Sequence, residues 1–163
     1  MEINEEQMRQ MLGQLARQMG LLYLSIGKEI VEKYGQEGRE IFLQGIKAFG
    51  RARGKGIAEK VKAAGEPLTL ENFFKFYDVP VTVVTKQSPF EITKDGRFRK
   101  RITSCPLVDL FREKNQLELG KLYCEQDFAM MEAYNPELRF EKGSSLMEGD
   151  ECCEFTYFVP GQT

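Results

Sequence analysis

Apolar side chains recur every three or four positions between residues 4 and 64, and this spacing predicts amphipathic helices. Asn4 followed by Gln7 has the pattern of a capping box, so we expect a first helix to begin there. A second helix is predicted to end at Gly35, because glycine readily takes the left-handed conformation that closes a helix. A third is predicted to begin around Gln36. The apolar residues of the three helices are Met8, Met11, Leu12, Leu15 and Met19, then Leu22, Ile26, Ile30 and Val31, then Ile41, Phe42, Ile46 and Phe49.

Four glycines lie within or beside the third predicted helix, at Gly45, Gly50, Gly54 and Gly56. Each glycine in a helix interior costs about 1 kcal/mol relative to alanine. Glycines kept at such a cost often permit the close approach of another helix or of a ligand. We therefore expect something to pack tightly against this helix.

After Gly65 the pattern changes from helical to alternating. Thr69 is suited to cap a short aromatic helix, and the β-branched and alternating segments that follow predict antiparallel strands. Asp95 and Gly96 stand between two of these segments and are the strongest short hairpin signal in the chain. The predicted strands cover residues 79–85, 90–93, 98–103, 138–146 and 153–159.

Two helices interrupt the predicted strands. Pro106 suits the first position of a helix, so Cys105 is expected at a strand-to-helix junction. The helices are predicted near residues 107–113 and 117–134, and Asn135 followed by proline ends the second.

Length and composition fit one folded unit. A chain of 163 residues with 42% hydrophobic content is sufficient for one apolar core. The expected fold class is α+β, with an N-terminal helical layer packed on an antiparallel sheet that carries inserted helices. The predicted single domain spans residues 1–163, with a helical half at 1–78 and the sheet, with its helices near 106–134, at 79–163.

Charge and hydropathy exclude two classes of partner. With 23 basic and 25 acidic residues, the formal charge of -2 gives no general field for holding nucleic acid. No apolar stretch approaches the roughly 20 residues that a membrane-spanning helix needs, and the first residues are acidic rather than basic. We therefore expect a cytoplasmic protein whose cysteines are reduced.

The chain contains no histidine. This excludes Ser-His-Asp and Cys-His catalysis and the histidine-based zinc sites of metalloproteases. Proton transfer would have to use carboxylates, thiols, lysine, tyrosine or a metal-bound water.

The cysteines are the main candidates for chemistry. Cys124 and Asp127 stand three residues apart on a predicted helix, so they share one face and could act as thiolate and general base or as two metal ligands. Cys105 at a helix N-terminus is expected to have a lowered pKa. Cys153 lies on a strand that could return beside them, whereas Cys152 should point to the opposite face. The alternative for each cysteine is simple packing in the core.

The cysteine motifs resemble one known family. They combine a Cys-Pro opening, a Cys-x-x-Asp on a helix, an Asn-Pro before a strand and a Gly-Asp-x-Cys-Cys-x-Phe ending, and in this pattern the chain resembles the L-2-amino-thiazoline-4-carboxylic acid hydrolase family. The ending is more distantly similar to 4-vinyl reductase domains, small-molecule-binding modules of which some hold zinc. The motif residues are Cys105, Pro106, Cys124, Asp127, Asn135, Pro136, Gly149, Asp150, Cys152, Cys153 and Phe155.

The resemblance implies hydrolytic opening of a cyclic amidine, such as a thiazoline carboxylate, to a carbamoyl cysteine. Cys124, Cys105 and Cys153 are the candidates to supply the nucleophile at the amidine carbon, directly or through a metal, and Asp127 would donate the proton to the departing nitrogen. Arg51 or Arg53 would hold the substrate carboxylate, but the sequence favours the alternative that both lie on a solvated basic helix face.

The second hypothesis is a small-molecule-binding or sensory module without turnover. It would keep the same pocket and add a cysteine-bound metal, with zinc as the candidate. If a metal is bound under either hypothesis, its ligands would be Cys105, Cys124, Cys153 and Asp127.

A third hypothesis is an interaction scaffold that uses the methionine-rich first helix. The apolar stripe of this helix predicts packing against another chain, most simply in a homo-oligomer. Light scattering should therefore report a species larger than one chain, and a monodisperse monomer at working concentration would contradict the prediction.

Overall fold

The computed structural model describes residues 4–79 and 81–161, and it has the α+β architecture expected from the sequence. A helical layer packs on one antiparallel sheet, and two further helices are inserted between its strands. The elements in chain order are α1 (Glu5–Ala63), α2 (Leu70–Lys75), α3 (Val81–Val84), β1 (Lys86–Gln87), β2 (Glu91–Ile92), β3 (Phe98–Ser104), α4 (Pro106–Glu113), α5 (Leu117–Tyr134), β4 (Arg139–Lys142) and β5 (Cys153–Phe158).

Helix α1 is a hairpin of two antiparallel arms, residues 5–34 and 36–63. The reversal occurs at Gly35, whose φ of 58° and ψ of -131° favour glycine. The rings of Tyr23 and Phe42 lie 4.8 Å apart, whereas a straight helix would separate these residues by about 28 Å. The predicted break at Gly35 is therefore confirmed, and the capping box at Asn4 is present as well.

The predicted division between a first and a second helix is wrong, because the first arm is helical throughout. Gly20 lies between the apolar residues of these two predicted helices, and its lack of a side chain gives space to a neighbouring helix. A Cβ atom there would lie 2.6 Å from the side chain of Leu110 and 2.9 Å from that of Leu107. The glycine thus lets the first arm pack closely on α4.

The second arm approaches the backbone of α5 through two glycines. A Cβ atom would lie 2.3 Å from the carbonyl oxygen of Gln126 if added at Gly50, and 2.1 Å from that of Met130 if added at Gly54. Nothing lies within 4 Å of such an atom at Gly56. The tight packing expected around these glycines is therefore present at two of the four positions, which lie four residues apart on one helical face.

Only one side of the second arm is buried. Phe42 and Ile46 pack in the core as expected, but Ile41 and Phe49 are exposed, which corrects their predicted inward placement. The reason is that the first arm and α5 together cover a narrower stripe of this arm than its apolar pattern suggests.

The sheet is antiparallel with the strand order β1-β3-β5-β4, and β2 also pairs with β3. Residue Lys100 pairs with Phe155 and Ile102 pairs with Cys153 across β3 and β5. The predicted hairpin between β2 and β3 is confirmed, with Gly96 at a φ of 77°. This register sets which side chains of β3 and β5 face the helices.

The strand predicted at residues 79–85 is wrong for the described part of this segment, since Pro80 lies outside the described residues. Val81–Val84 form the short helix α3, and strand β1 follows only at Lys86–Gln87. Helix α3 contacts α1, so tertiary packing overrides the β propensity of its valines. The strand predicted at residues 138–146 is also shorter, because the backbone N–H of Ser145 donates to the Asp150 carboxylate in a loop.

Two apolar clusters form the core, one between the arms and α4 and the other beneath α2 and the sheet. Their most deeply buried large side chains are Phe111 and Leu110 in the first and Ile57, Val61, Phe73 and Tyr134 in the second. Between them lies the cavity described below.

The outer stripe of the first arm is exposed in the single chain. Met11 is 54% and Leu15 is 66% exposed, and Met8, Met19 and Leu22 share this character. The predicted association through this helix therefore stays a prediction. No helix in the described part of the chain combines the length and apolar character that crossing a membrane requires.

Replacing Gly54 with alanine should destabilise the fold, because the new methyl group meets backbone that cannot move aside as a flexible side chain could. The expected loss in free energy of unfolding is about 2 to 3 kcal/mol by urea titration. Gly56→Ala is the matched control and should be neutral or stabilising by up to about 1 kcal/mol. Equal stability of the two variants would contradict the close packing of the second arm on α5.

Candidate functional site

A cavity of about 240 Å³ lies between the helical layer and the sheet. Both arms of α1 and helices α2, α4 and α5 contribute side chains to its wall, as do strands β3, β4 and β5. The wall is mostly aromatic or sulfur-containing, with Phe73, Tyr77, Tyr123, Met130, Phe155 and Tyr157 as examples. A largely apolar cleft or chamber with a few polar groups is the usual form of a small-molecule site.

The structure brings Cys105, Cys124, Cys153 and Asp127 together around this cavity. Cys105 precedes α4, Cys124 and Asp127 share one face of α5, and Cys153 begins β5. Cys152 is not part of the wall, and its sulfur lies 3.7 Å from the Ser144 hydroxyl. Cys105, Cys124 and Cys153 therefore line one cavity and Cys152 does not.

All three thiols have raised pKa values. Burial, reinforced by the charge of Asp127, raises the pKa of Cys124 to about 12. Burial also raises the pKa of Cys105, although the backbone N–H groups of Val108 and Leu107 act in the opposite direction. The expected lowering at the N-terminus of α4 is thus wrong, because loss of solvation outweighs the helix dipole.

Cys153 is almost fully buried, and burial raises its pKa as well. Its sulfur accepts a hydrogen bond of 3.3 Å from the backbone N–H of Leu146. The site therefore holds neutral thiols at neutral pH rather than a ready thiolate.

Asp127 faces the cavity from α5 and is half-buried. Loss of solvation raises the pKa of its carboxyl group to about 6, while the positive charges of Arg53 and Lys142 oppose the shift. No hydrogen bond or ion pair to this carboxylate occurs within residues 4–79 and 81–161. A carboxylate in such surroundings is suited to exchange a proton near neutral pH or to receive a cationic ligand.

Arg53 lines the cavity, but its charge already has a partner. Its guanidinium donates to both carboxylate oxygens of Asp78, at 2.8 and 2.6 Å, and to the side-chain oxygen of Gln126 at 2.7 Å. Its face lies over the rings of Phe49 and Tyr77. Arg53 therefore links the second arm to α5 and to the segment after α2.

Arg51, the other residue expected to hold the substrate carboxylate, is exposed and does not line the cavity. It lies two residues from Arg53 on the helix, which turns it by about 200° to another face. The sequence could not show which of the two faces meets the cavity.

The expected metal site is not supported by the geometry. Within the described ranges, no three side chains of the metal-binding types His, Cys, Asp and Glu lie close enough to hold one ion. Cys153 is in addition engaged by the Leu146 N–H. The donor set Cys105, Cys124, Cys153 and Asp127 surrounds a chamber instead of converging on a point, so it does not fit zinc.

Sequence reasoning missed Lys100. Its side chain is 9% exposed and lines the cavity from β3, with its ammonium 5.3 Å from the ring centre of Phe74 and 4.6 Å from that of Phe90. Burial lowers its pKa. The sequence feature that could have revealed it is the alternation of side chains along β3, which places Lys100 on the same face of the sheet as Ile102.

The fold and its largely apolar chamber define a class of α+β domains built around a cavity of small-molecule size. The chain belongs to the L-2-amino-thiazoline-4-carboxylic acid hydrolase family, whose model matches residues 10–157. No curated protein sequence matches the chain.

Two solved structures share the fold. The phenol-responsive sensory domain of the transcription activator PoxR with phenol has a TM-score of 0.56 at 13% identity, covering 91% of this chain and 76% of that one. Subunit 3 of the trafficking protein particle complex from Naegleria fowleri, covalently bound to palmitic acid, has a TM-score of 0.51 at 12% identity, covering 88% of this chain and 94% of that one. At these identities the likeness concerns the fold.

Asp127→Asn should change how stability depends on pH. A carboxyl group whose pKa is raised on folding stabilises the fold below its unfolded pKa of about 4, and this contribution is lost as pH rises through about 6. Asparagine does not titrate, so the variant does not lose this contribution. Its free energy of unfolding minus that of the native chain should therefore increase by on the order of 2 kcal/mol between about pH 4 and pH 7.

Urea unfolding across this pH range provides the measurement. The control is Glu132→Gln, which removes the charge of an exposed glutamate on the same helix. Its stability relative to the native chain should not increase in this way with pH. A stability difference for Asp127→Asn that does not vary with pH would contradict the burial of this carboxyl group.

Proposed function

We propose that the protein hydrolyses a C–N bond in a small cyclic amidine, with thiazoline carboxylates as the substrate class that the family's name indicates. The observation that carries the proposal is Asp127, a carboxylate without a protein partner in the described ranges, with a pKa of about 6, in the wall of a largely apolar cavity. A general base works best when its pKa lies near the operating pH.

Asp127 is proposed to act on a water molecule. The ionised carboxylate takes a proton from water as the water oxygen bonds to the amidine carbon, which becomes tetrahedral. The proton is then returned to the ring nitrogen, whose bond to that carbon breaks. The added hydroxyl becomes the carbonyl of the product, and its proton passes through the carboxylate to the departing nitrogen, which leaves as an amine. The net change is addition of one water and release of an amine from the ring.

The cysteines complete the proposed site as neutral groups. With a pKa of about 12, only roughly one Cys124 thiol in a hundred thousand is ionised at neutral pH, which disfavours direct attack by sulfur. Cys124 instead lies on the same helical face as Asp127 and presents an S–H donor toward the reacting groups. Cys105 and Cys153 supply polarizable, uncharged walls around the substrate ring.

Asp127→Asn should lower kcat/KM for L-2-amino-thiazoline-4-carboxylate by about a hundredfold or more, because the amide keeps the shape and removes the base. In the native chain, kcat/KM should rise with pH through about 6 and then level off. Product formation is followed by chromatography with mass detection.

Cys124→Ser provides the contrast, since water attack predicts a loss of less than about tenfold and sulfur attack predicts loss of the reaction. A free-thiol assay identifies the bond that breaks, because C–N cleavage leaves the sulfur carbamoylated. Full activity of folded Asp127→Asn would show that the carboxylate has a structural role.

A second candidate is a sensory module that binds a small molecule without turnover. The aromatic wall of the cavity favours it, and the phenol-bound PoxR domain of similar fold provides a precedent for ligand binding. Calorimetry with phenol and with the thiazoline carboxylate, combined with product analysis, separates the two. Tight binding of phenol without conversion of the thiazoline would favour the sensory module.

A further inference from the structure

Lys100 presents an ammonium group to the cavity without an acidic partner. It stands in the middle of β3, opposite Phe155 on β5, and its side chain points into the space between sheet and helices. The ring centres of Phe74 and Phe90 lie 5.3 and 4.6 Å from its nitrogen. No carboxylate lies within ion-pair distance of it in the chain as far as it is described. By contrast, the neighbouring β3 residues Arg99 and Arg101 both pair with glutamates at the surface.

The same cavity therefore contains two opposite charges that do not pair with each other. Asp127 lies on α5 and Lys100 lies on β3, at walls contributed by different layers of the fold. Burying a charge without a partner is costly, so such residues in a chamber indicate that a ligand supplies the partners. Arg53 is less suited to this part, because its Nε and Nη2 already donate to Asp78 and its Nη1 donates to Gln126.

We infer that the cavity recognises a small zwitterion, with Lys100 binding the ligand's carboxylate and Asp127 binding its amidine. This assignment rests on the proposed function and adds the group that orients the substrate. Anchoring the carboxylate at the sheet points the amidine carbon toward α5, where the base lies. It also makes Lys100, rather than Arg51 or Arg53, the residue that selects carboxylated substrates.

Apolar surroundings strengthen such a contact. The aromatic side chains beside Lys100 exclude water from its ammonium group, so an incoming carboxylate meets little competition. A charge-assisted hydrogen bond in this setting changes affinity by about ten- to a hundredfold.

The test compares two probes that resist hydrolysis, 2-aminothiazole-4-carboxylate and 2-aminothiazole, by calorimetry. The native chain should bind the carboxylated probe about ten- to a hundredfold more tightly. Lys100→Met should remove this preference and leave the affinity for 2-aminothiazole unchanged. Lys94→Met, at an exposed lysine of the adjacent hairpin, is the matched control and should retain the preference.

Lys100→Gln provides a second variant, and thermal melting shows whether each variant is folded. If neither variant folds, the preference of the native chain and its decline at high salt decide the question. Equal affinity of the native chain for the two probes overturns the inference, as does a preference that survives in folded Lys100→Met.

These outcomes are separable from those for the reaction. If the preference for the carboxylated probe depends on Lys100 but the thiazoline carboxylate is not hydrolysed, the result supports carboxylate binding by Lys100 and contradicts the proposed reaction. Hydrolysis with a KM that does not change in Lys100→Met supports the reaction and overturns the role of Lys100.

Discussion

The contact between the second arm of α1 and helix α5 determines where the site can form. Gly50 and Gly54 bring the arm against the carbonyl oxygens of Gln126 and Met130, closer than any side chain would permit. Because Asp127 lies between those two residues, the contact also fixes the direction in which its carboxylate points. Because α5 is held against the second arm along one face, another face of α5 is free to form the wall of the chamber. That face carries Cys124 and Asp127.

The charged side chains around the chamber differ in whether they have an oppositely charged partner. Arg53 and Asp78 form a bidentate pair, so the arginine side chain is 12% exposed without an uncompensated charge. Asp127 and Lys100 share the same apolar surroundings but have no such partner within residues 4–79 and 81–161. An apolar chamber of this kind favours neutral forms, which is why the aspartate pKa rises and the lysine pKa falls. A ligand with both charges would restore the ionised forms of both.

The absence of histidine gives the carboxylate its importance. With no imidazole in the chain, a group that titrates near neutrality has to be made by the environment, and burial does this for Asp127. Burial also raises the pKa of the Cys124 thiol to about 12. The thiol is therefore protonated near neutral pH and is a weak nucleophile. One physical cause therefore makes the carboxylate a better base and the thiol a poorer nucleophile.

The sequence by itself determined the elements and the candidates. Local rules were sufficient for the cap at Asn4, the reversal at Gly35, the hairpin at Gly96 and the shared face of Cys124 and Asp127, because each depends on residues close in the chain. The helix at residues 81–84, the placement of the two arginines, the state of the thiols and the burial of Lys100 in the cavity wall were decided by tertiary structure alone. These features depend on which groups from distant segments surround a residue, and burial, pairing and solvation have no local signature.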